Sequence, residues 1–306
     1  MEFSRRDFIK LCGASAAGIG LSQLPHPAIV QALEKAAAGN PPVIWIMGQG
    51  CTGCSVSILN TVHPTIAEVL LKIISMKFHE TIMAASGELA LAAQDKAAEE
   101  YAGKFFLVVE GSIPTNENGM YAQIGTMKGK TRTMLEEVLH LGKNAAAVVA
   151  VGTDATNGGI PAAKPNPTGA KGVMEIFKAN GIKTPVINVP GCPPNPDWMV
   201  GTLAHVLLWG VPQLDGEGRP VLFYGTLIHD NCPYRGYYEY GVFAKEFGDD
   251  GCRAKLGCKG PETYADCWKR KWNGGVNWCV QNAICIGCVQ PDFWDKYAPI
   301  YYHSIA

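Results

Sequence analysis

Short, uninterrupted apolar runs alternate with longer amphipathic stretches through the first two-thirds of the chain, and then the alternation stops. Val43-Ile44-Trp45-Ile46-Met47-Gly48 is one such run, closed by glycine. Phe105–Glu110 (FFLVVE), Ala146–Val151 (AAVVAV) and Pro185–Val189 (PVINV) are the others. A strand covered on both faces reads as a continuous apolar run, because neither side-chain direction meets water. Between these runs, Thr65–Ser75, Gly87–Tyr101, Lys130–Leu141 and Gly172–Asn180 place apolar residues at helical spacing. The alternation predicts an α/β fold, a doubly wound and mostly parallel sheet. In such sheets functional loops gather beyond the carboxyl ends of the strands. GQGCTGCS, EGSIPTNENG, GTDATNGG and PGCPPNPDW occupy those positions.

From about Val211 the pattern gives way to VPQLDGEGRP, a Gly/Pro-bearing connection, which predicts a domain over 39–212 and a second over 213–306. The second has neither helical nor strand periodicity. Between His229 and Cys288 it is rich in Gly, Pro and Tyr and carries His229, Cys232, Cys252, Cys258, Cys267, Cys279, Cys285 and Cys288. So irregular a stretch has little apolar core of its own, and the expectation is that metal organises it. The eight residues divide in order into a His/Cys/Cys/Cys set and an all-Cys set, each with the ligand count of a cubane iron–sulfur cluster or a structural zinc site. Disulfides would also use an even number of cysteines.

Two loops of the first domain add Cys51, Cys54 and Cys192. Cys51-x-x-Cys54 runs into a predicted helix, whose N-terminal N–H groups favour thiolates. Alone it is also a redox-dithiol signature. With Cys192 at the equivalent end of another strand, it reads instead as a cluster one ligand short. Asp154, in the loop after Ala146–Val151, is the candidate for the fourth place, against the plainer role of a turn-capping aspartate. Carboxylate is a harder and less usual ligand for iron–sulfur centres than thiolate.

Composition and the N-terminus narrow the choice. The chain has 306 residues and a formal charge of −1, so it lacks the basic footprint that nucleic-acid binding needs. Ser4-Arg5-Arg6-Asp7-Phe8-Ile9-Lys10 is a twin-arginine export pattern, followed by the weakly apolar Leu11–Leu24 and by Ala36-Ala37-Ala38 as a cleavage site. Residues 1–38 are therefore expected to leave as a signal peptide, with Cys12 inside it, and the mature protein is expected in the periplasm. That route carries folded proteins loaded with cofactor in the reducing cytoplasm, which favours metal over disulfides. Ten cysteines remain, and with His229 and Asp154 they make twelve donors for three sets of four. No catalytic zinc motif or Ser/His/Asp pattern accompanies them. No apolar span follows Cys288, so no membrane anchor is expected in this chain.

The strings SRRDFIK, GCTGCS, VEGSIP, VPGCPPNPDWMVGTL, IHDNCPY, LGCKGPETYADC and CIGCVQPDFW are long and specific. Together they resemble the small, electron-transferring subunit of nickel–iron hydrogenases over nearly the whole chain. The resemblance implies a flavodoxin-like first domain with a proximal cluster and a C-terminal domain with medial and distal clusters. On matching positions, Cys51, Cys54, Cys192 and, less typically, Asp154 resemble the proximal ligands. His229, Cys232, Cys252 and Cys258 resemble the distal set, and Cys267, Cys285 and Cys288 the medial one. Cys279 stands where many members have proline and a three-iron medial cluster, which implies a four-iron cluster here, as in the nickel–iron–selenium branch. Gly53 stands where the oxygen-tolerant, six-cysteine type has an extra cysteine. The family further implies a partner large subunit holding the nickel–iron site, so that no catalytic residue is expected in this chain. An external acceptor is expected to be a c-type cytochrome, docked on an acidic rim of Asp230, Glu239, Glu246, Asp249 and Asp250. The alternative is an electron-transfer subunit of another exported redox complex.

Overall fold

A computed structural model describes residues 39–62 and 64–297. The expected export segment 1–38, with Cys12, and the chain after 297 lie outside the described residues.

Five parallel strands form the sheet that supports the rest. They are β1 (Pro42–Met47), β2 (Ser75–His79), β3 (Phe106–Glu110), β6 (Ala147–Val151) and β7 (Val186–Val189). Two shorter strands between β3 and β6, β4 (Gln123–Met127) and β5 (Lys130–Thr133), pair only with each other, as an antiparallel hairpin. The sheet order is β2-β1-β3-β6-β7. With the hairpin set aside this is the flavodoxin-like order, whose switch point lies between β1 and β3.

All four predicted apolar runs are strands. β2 escaped prediction because it is an edge strand: Ser75-Met76-Lys77-Phe78-His79 buries only its last two residues and needs no continuous apolar run. The expected helix Thr65–Ser75 is correspondingly shorter, a capped turn Ile66–Glu68 running into a wider π-type turn Val69–Ile73. The expected helix from Lys130 begins instead at Met134, because Lys130–Thr133 is β5. Lys128 (φ 51°) and Gly129 (φ 75°) both take left-handed backbone, the two-residue hairpin turn that matches strand twist.

Helices cover both faces. On one, Ile44, Ile46, Leu107, Val109, Val148 and Ala150 pack against α2 (Gly87–Glu100), α3 (Met134–Asn144) and α5 (Val173–Ala179). On the other, Val43, Trp45, Val149, Val151 and Val189 meet Trp198 and Met199 of α6 (Pro196–Trp209). The strands thus alternate between two cores, one side chain up and the next down.

The second core is shared. Phe223, Tyr224, Ile228, Ala265, Trp278 and Val289 from the irregular segment join it directly. Between 213 and 297 the described chain consists of helical turns of three to five residues and isolated bridges, as the missing periodicity predicts. Polar ties fix this segment to the α/β part. Trp198 Nε1 donates to Asp266 Oδ1 at 2.6 Å, Tyr224 Oη to the Pro190 carbonyl at 2.8 Å, and Asp266 also accepts from Arg270 Nε at 2.6 Å. Among the described residues no helix is long and apolar enough to cross a membrane.

Candidate metal centres

The carboxyl ends of β1, β3, β6 and β7 meet at one rim, and the first donor set assembles there. Cys51 follows β1, and Cys54 lies in α1 (Gly53–Leu59), which begins after a left-handed Thr52 (φ 63°). Asp154 is in the first turn of α4 (Thr153–Asn157), and Cys192 follows β7. Gly152, with φ 90°, lets β6 turn into α4 against the Cys54 sulfur; a Cβ at Gly152 would collide with that Sγ. The left-handed backbone and the close approach both require glycine there.

Burial pushes the Cys54 thiol far up, and Glu110, Asp154, Cys192 and Cys51 push in the same direction. The Cys192 thiol is pushed up to about 12 by burial, then by Asp154, Cys288 and Cys51. Acids and other thiols push both in the same direction. A site that crowds thiols and carboxylates together suits a cationic group that would draw off the protons. Asp154 is divided between its two expected roles. Its Oδ1 accepts from the Ile160 N–H at 3.1 Å, a turn-capping bond, while Oδ2 is turned to Gly50, 3.6 Å from where a Cβ would stand. Burial raises its carboxyl to about 6.

Glu110, at the end of β3, organises the support beneath this rim. Its carboxylate accepts from the backbone N–H groups of Cys54 (3.0 Å) and Ser55 (3.1 Å), from Ser55 Oγ, and from Trp45 Nε1 (3.0 Å). It therefore caps the first turn of α1 and fixes the backbone that carries Cys54. Ser55 Oγ also lies 3.2 Å from His79 Nε2, whose Nδ1 accepts from the Thr81 N–H. Sequence reasoning passed over Glu110, although a carboxylate closing an otherwise apolar buried strand was a usable signal.

The second set, Cys267, Cys279, Cys285 and Cys288, lies beneath the first. Cys267, Cys285 and Cys288 are shielded by the shared core. Cys279 is exposed, and its interaction with Cys285 raises the Cys279 thiol and lowers Cys285. Cys267 and Cys288 act on Cys279 as well, so all four thiols sit within mutual electrostatic reach. Thr153 links this set to the rim: its Oγ1 donates to the Cys288 carbonyl and accepts from the Gly191 N–H at 2.9 Å.

The third set lines a single recess. His229, Cys232, Cys252 and Cys258, separated by up to 29 positions in the chain, all face a hollow of about 340 Å³ of empty space, part of it open to solvent. Ile228, Tyr234, Arg253, Pro261 and Val280 complete its walls. Burial lowers the His229 imidazole, and Arg235 lowers it further, which favours the neutral form that ligates metal. Burial raises the Cys232 and Cys258 thiols. The Cys285 N–H meets Cys258 Sγ at 3.4 Å, joining this set to the second.

All ten described cysteines are unpaired. No three His, Cys, Asp or Glu side chains among the described residues converge on one ion position. The donor chemistry and the hollow fit clusters, and the crowded thiols and carboxylates of the rim set fit a cationic group. The expected acidic rim is partly neutralised: Arg235 pairs with Asp230 at 2.9 Å and with Glu239 at 2.8 Å. Asp249 is turned to the backbone N–H groups of Lys245 and Glu246.

Comparison with known proteins gives the family. A family model for the C-terminal part of the NiFe/NiFeSe hydrogenase small subunit matches residues 224–301, and one described as NADH ubiquinone oxidoreductase, 20 Kd subunit, matches residues 51–206. The periplasmic NiFeSe hydrogenase small subunit of Desulfomicrobium baculatum is 54% identical over 98% of this chain and 99% of its own. The periplasmic NiFe hydrogenase small subunit of Solidesulfovibrio fructosivorans is 43% identical over 97% of this chain and 92% of its own. Among solved structures, the recombinant NiFeSe hydrogenase from Desulfovibrio vulgaris Hildenborough superposes with a TM-score of 0.83 at 55% identity, covering 85% of this chain and 97% of that one. With its flavodoxin-like sheet, irregular cysteine-dense segment and end-to-end identity to these relatives, the chain belongs to the small-subunit family of nickel–iron and nickel–iron–selenium hydrogenases.

Proposed function

We propose that this chain is the electron-transfer subunit of a nickel–iron or nickel–iron–selenium hydrogenase, relaying electrons through three iron–sulfur clusters between a hydrogen-activating large subunit and an external carrier such as a c-type cytochrome. The observation that supports it is the serial linkage of the three donor sets. Thr153, flanked by Gly152 and Asp154 of the rim, donates to the Cys288 carbonyl of the second set and accepts from the Gly191 N–H beside Cys192, and the Cys285 N–H of the second set meets Cys258 Sγ of the third. Cys51, Cys54, Cys192 and Asp154 would hold the proximal cluster; Cys267, Cys279, Cys285 and Cys288 the medial one; His229, Cys232, Cys252 and Cys258 the distal one. When bound, such clusters supply one-electron transfer without bond making. The protein's part is to space the sets and to hold their donors in place. Four thiolate positions in the second set, Cys279 included, favour a four-iron over a three-iron cluster. His229 replaces a charged thiolate by a neutral donor, which makes the distal position easier to reduce.

Along α1 and just after it, Val56, Leu59 and Val62 are 56%, 47% and 45% exposed, and Cys51, two residues before α1, is exposed too; these apolar residues suit the large subunit. At the other end, the exposed carboxylates Glu246 and Asp250 suit a basic cytochrome. Export with removal of 1–38, and the division into 39–212 and 213–306, belong to the same reading; so does the periplasm, the compartment named for the relatives.

The deciding experiment is to purify the chain with whatever binds it and to count metals. About twelve irons per chain is the count that three four-iron clusters require, and it should accompany nickel in the partner. A partner without nickel would overturn the reading. Asp154→Ala is expected to perturb the proximal EPR signal or reduce the iron count, and unchanged values would remove Asp154 from the ligand set. Reduction of a basic cytochrome should slow as salt is raised, and a rate indifferent to ionic strength would remove the acidic docking surface.

A further inference from the structure

The described chain contains five arginines, and four of them pair with carboxylates: Arg132 with Asp95, Arg219 with Asp215, Arg235 with Asp230 and Arg270 with Asp266. Arg253 has no such partner. It follows Cys252 directly and forms part of the wall of the distal recess. Its Nη1 donates to the carbonyls of Val280 (2.5 Å), Ala283 (3.0 Å) and Gln281 (3.4 Å), all in the short segment between Cys279 and Cys285. Its Nη2 lies 3.4 Å from Tyr234 Oη, and the guanidinium carbon stands 4.7 Å from the centre of that ring, two residues beyond Cys232. The remaining donor, Nε, is buried and has no hydrogen-bond partner.

A guanidinium tied only to neutral carbonyls and a phenol has no counter-charge, and a buried donor left idle is costly unless an acceptor faces it. Three thiolates and a neutral imidazole would leave a cluster in the recess anionic, and more so after one-electron reduction. We propose that Arg253 is a positioning residue for electron transfer: its Nε–H donates to a sulfur of the group held by His229, Cys232, Cys252 and Cys258, and its fixed charge between the medial and distal sets favours the reduced state of both, the distal more strongly. Reduction here adds one electron and no proton, and no bond forms or breaks. Hydrogen bonds to cluster sulfurs and net charge are two of the levers that set such potentials. The inference rests on the reading that these four residues hold an iron–sulfur cluster.

Two measurements on the intact complex test it. In protein labelled with 15N-arginine, pulsed EPR of the distal cluster should show a weakly coupled arginine nitrogen that disappears in Arg253→Lys; absence of that coupling in the unsubstituted protein overturns the hydrogen bond. In EPR-monitored redox titrations, Arg253→Met should shift the distal midpoint potential downward, and the medial one by less, with iron content and the proximal signal unchanged. Arg253→Lys, which keeps the charge, should return most of the shift. A distal potential equal in Arg253→Met and the unsubstituted protein, with iron retained, overturns the electrostatic role. Should Arg253→Met lose iron, the nitrogen coupling and the Arg253→Lys titration still decide. Unsubstituted protein with no distal cluster signal would instead overturn the underlying ligand reading.

Discussion

At the scale of single residues, Glu110 shows how much of the rim depends on a side chain that ligates nothing. Four donors converge on its two oxygens, and a glutamine there would offer one acceptor oxygen and an NH₂ that cannot accept. Glu110→Gln should strand at least one buried N–H, and a loss of about 1–3 kcal/mol is expected on thermal unfolding, with the proximal signal altered. A protein of unchanged stability and spectrum would contradict the capping role. Behind it, burial lowers the His79 imidazole below its usual 6.5, against the opposing pull of Glu110. The sign follows from proton binding. Below pH 6.5 the unfolded chain takes up a proton that folded His79 does not, so stability is full above that value and falls as pH drops toward the folded pKa. His79→Gln should flatten the acid side of a stability–pH curve between pH 6.5 and that lower point, and an unchanged slope would refute the assignment. Cysteines and His229 were legible because their chemistry is restricted to few roles. Glu110, His79 and Arg253 were not, because their importance comes from what they face across the fold.

At the scale of elements, strand prediction worked where burial on both faces leaves no polar position, and failed at the edge strand β2 and the hairpin β4–β5. Edge and hairpin strands keep a wet face, so their sequences resemble helix flanks. The start of α3 is defined by a reciprocal cap: Thr133 Oγ1 accepts from the Glu136 N–H at 3.2 Å, and the Glu136 carboxylate accepts from the Thr133 N–H at 3.1 Å. Thr133→Ala should cost about 0.5–2 kcal/mol, read from the urea midpoint. Further along α3, Gly142 lets the Phe177 ring of α5 lie against the helix backbone, and a Cβ there would overlap the ring. Gly142→Ala gains helix propensity but overpacks this contact. A net loss of about 1–3 kcal/mol is expected, and a stabilised variant would mean that Phe177 moves aside freely.

At the scale of the whole molecule, the two parts share the core around Trp198, yet they are held by different means. The α/β part has a continuous sheet and two apolar faces. The segment 213–297 has short turns whose cysteines carry much of its interior. Removing iron with a chelator under reducing conditions should therefore loosen 213–297 first, while β1, β3 and β6 stay protected. Hydrogen exchange followed by mass spectrometry measures this directly; uniform loosening of both parts would show that the shared core, not metal, holds the segment in place.

The sequence by itself determined the α/β class, the four buried strands, the irregular character of 213–297 and which cysteines and histidine are candidate donors, because apolar periodicity and ligand type are local properties that neighbours cannot change. It also carried the family, through motifs spread along the entire chain. Tertiary structure decided which donors face one another. It put Cys54, just after β1, against the glycine that closes β6, set Cys258 beside Cys285, and gave His229, Cys232, Cys252 and Cys258 one recess. It gave Asp154 one oxygen for its own turn and left the other facing the rim. It also left Arg253, alone among the described arginines, with a charge and a donor unanswered by any carboxylate. Those pairings depend on distances between residues far apart in the chain, and only the packing of the sheet and the shared core sets them.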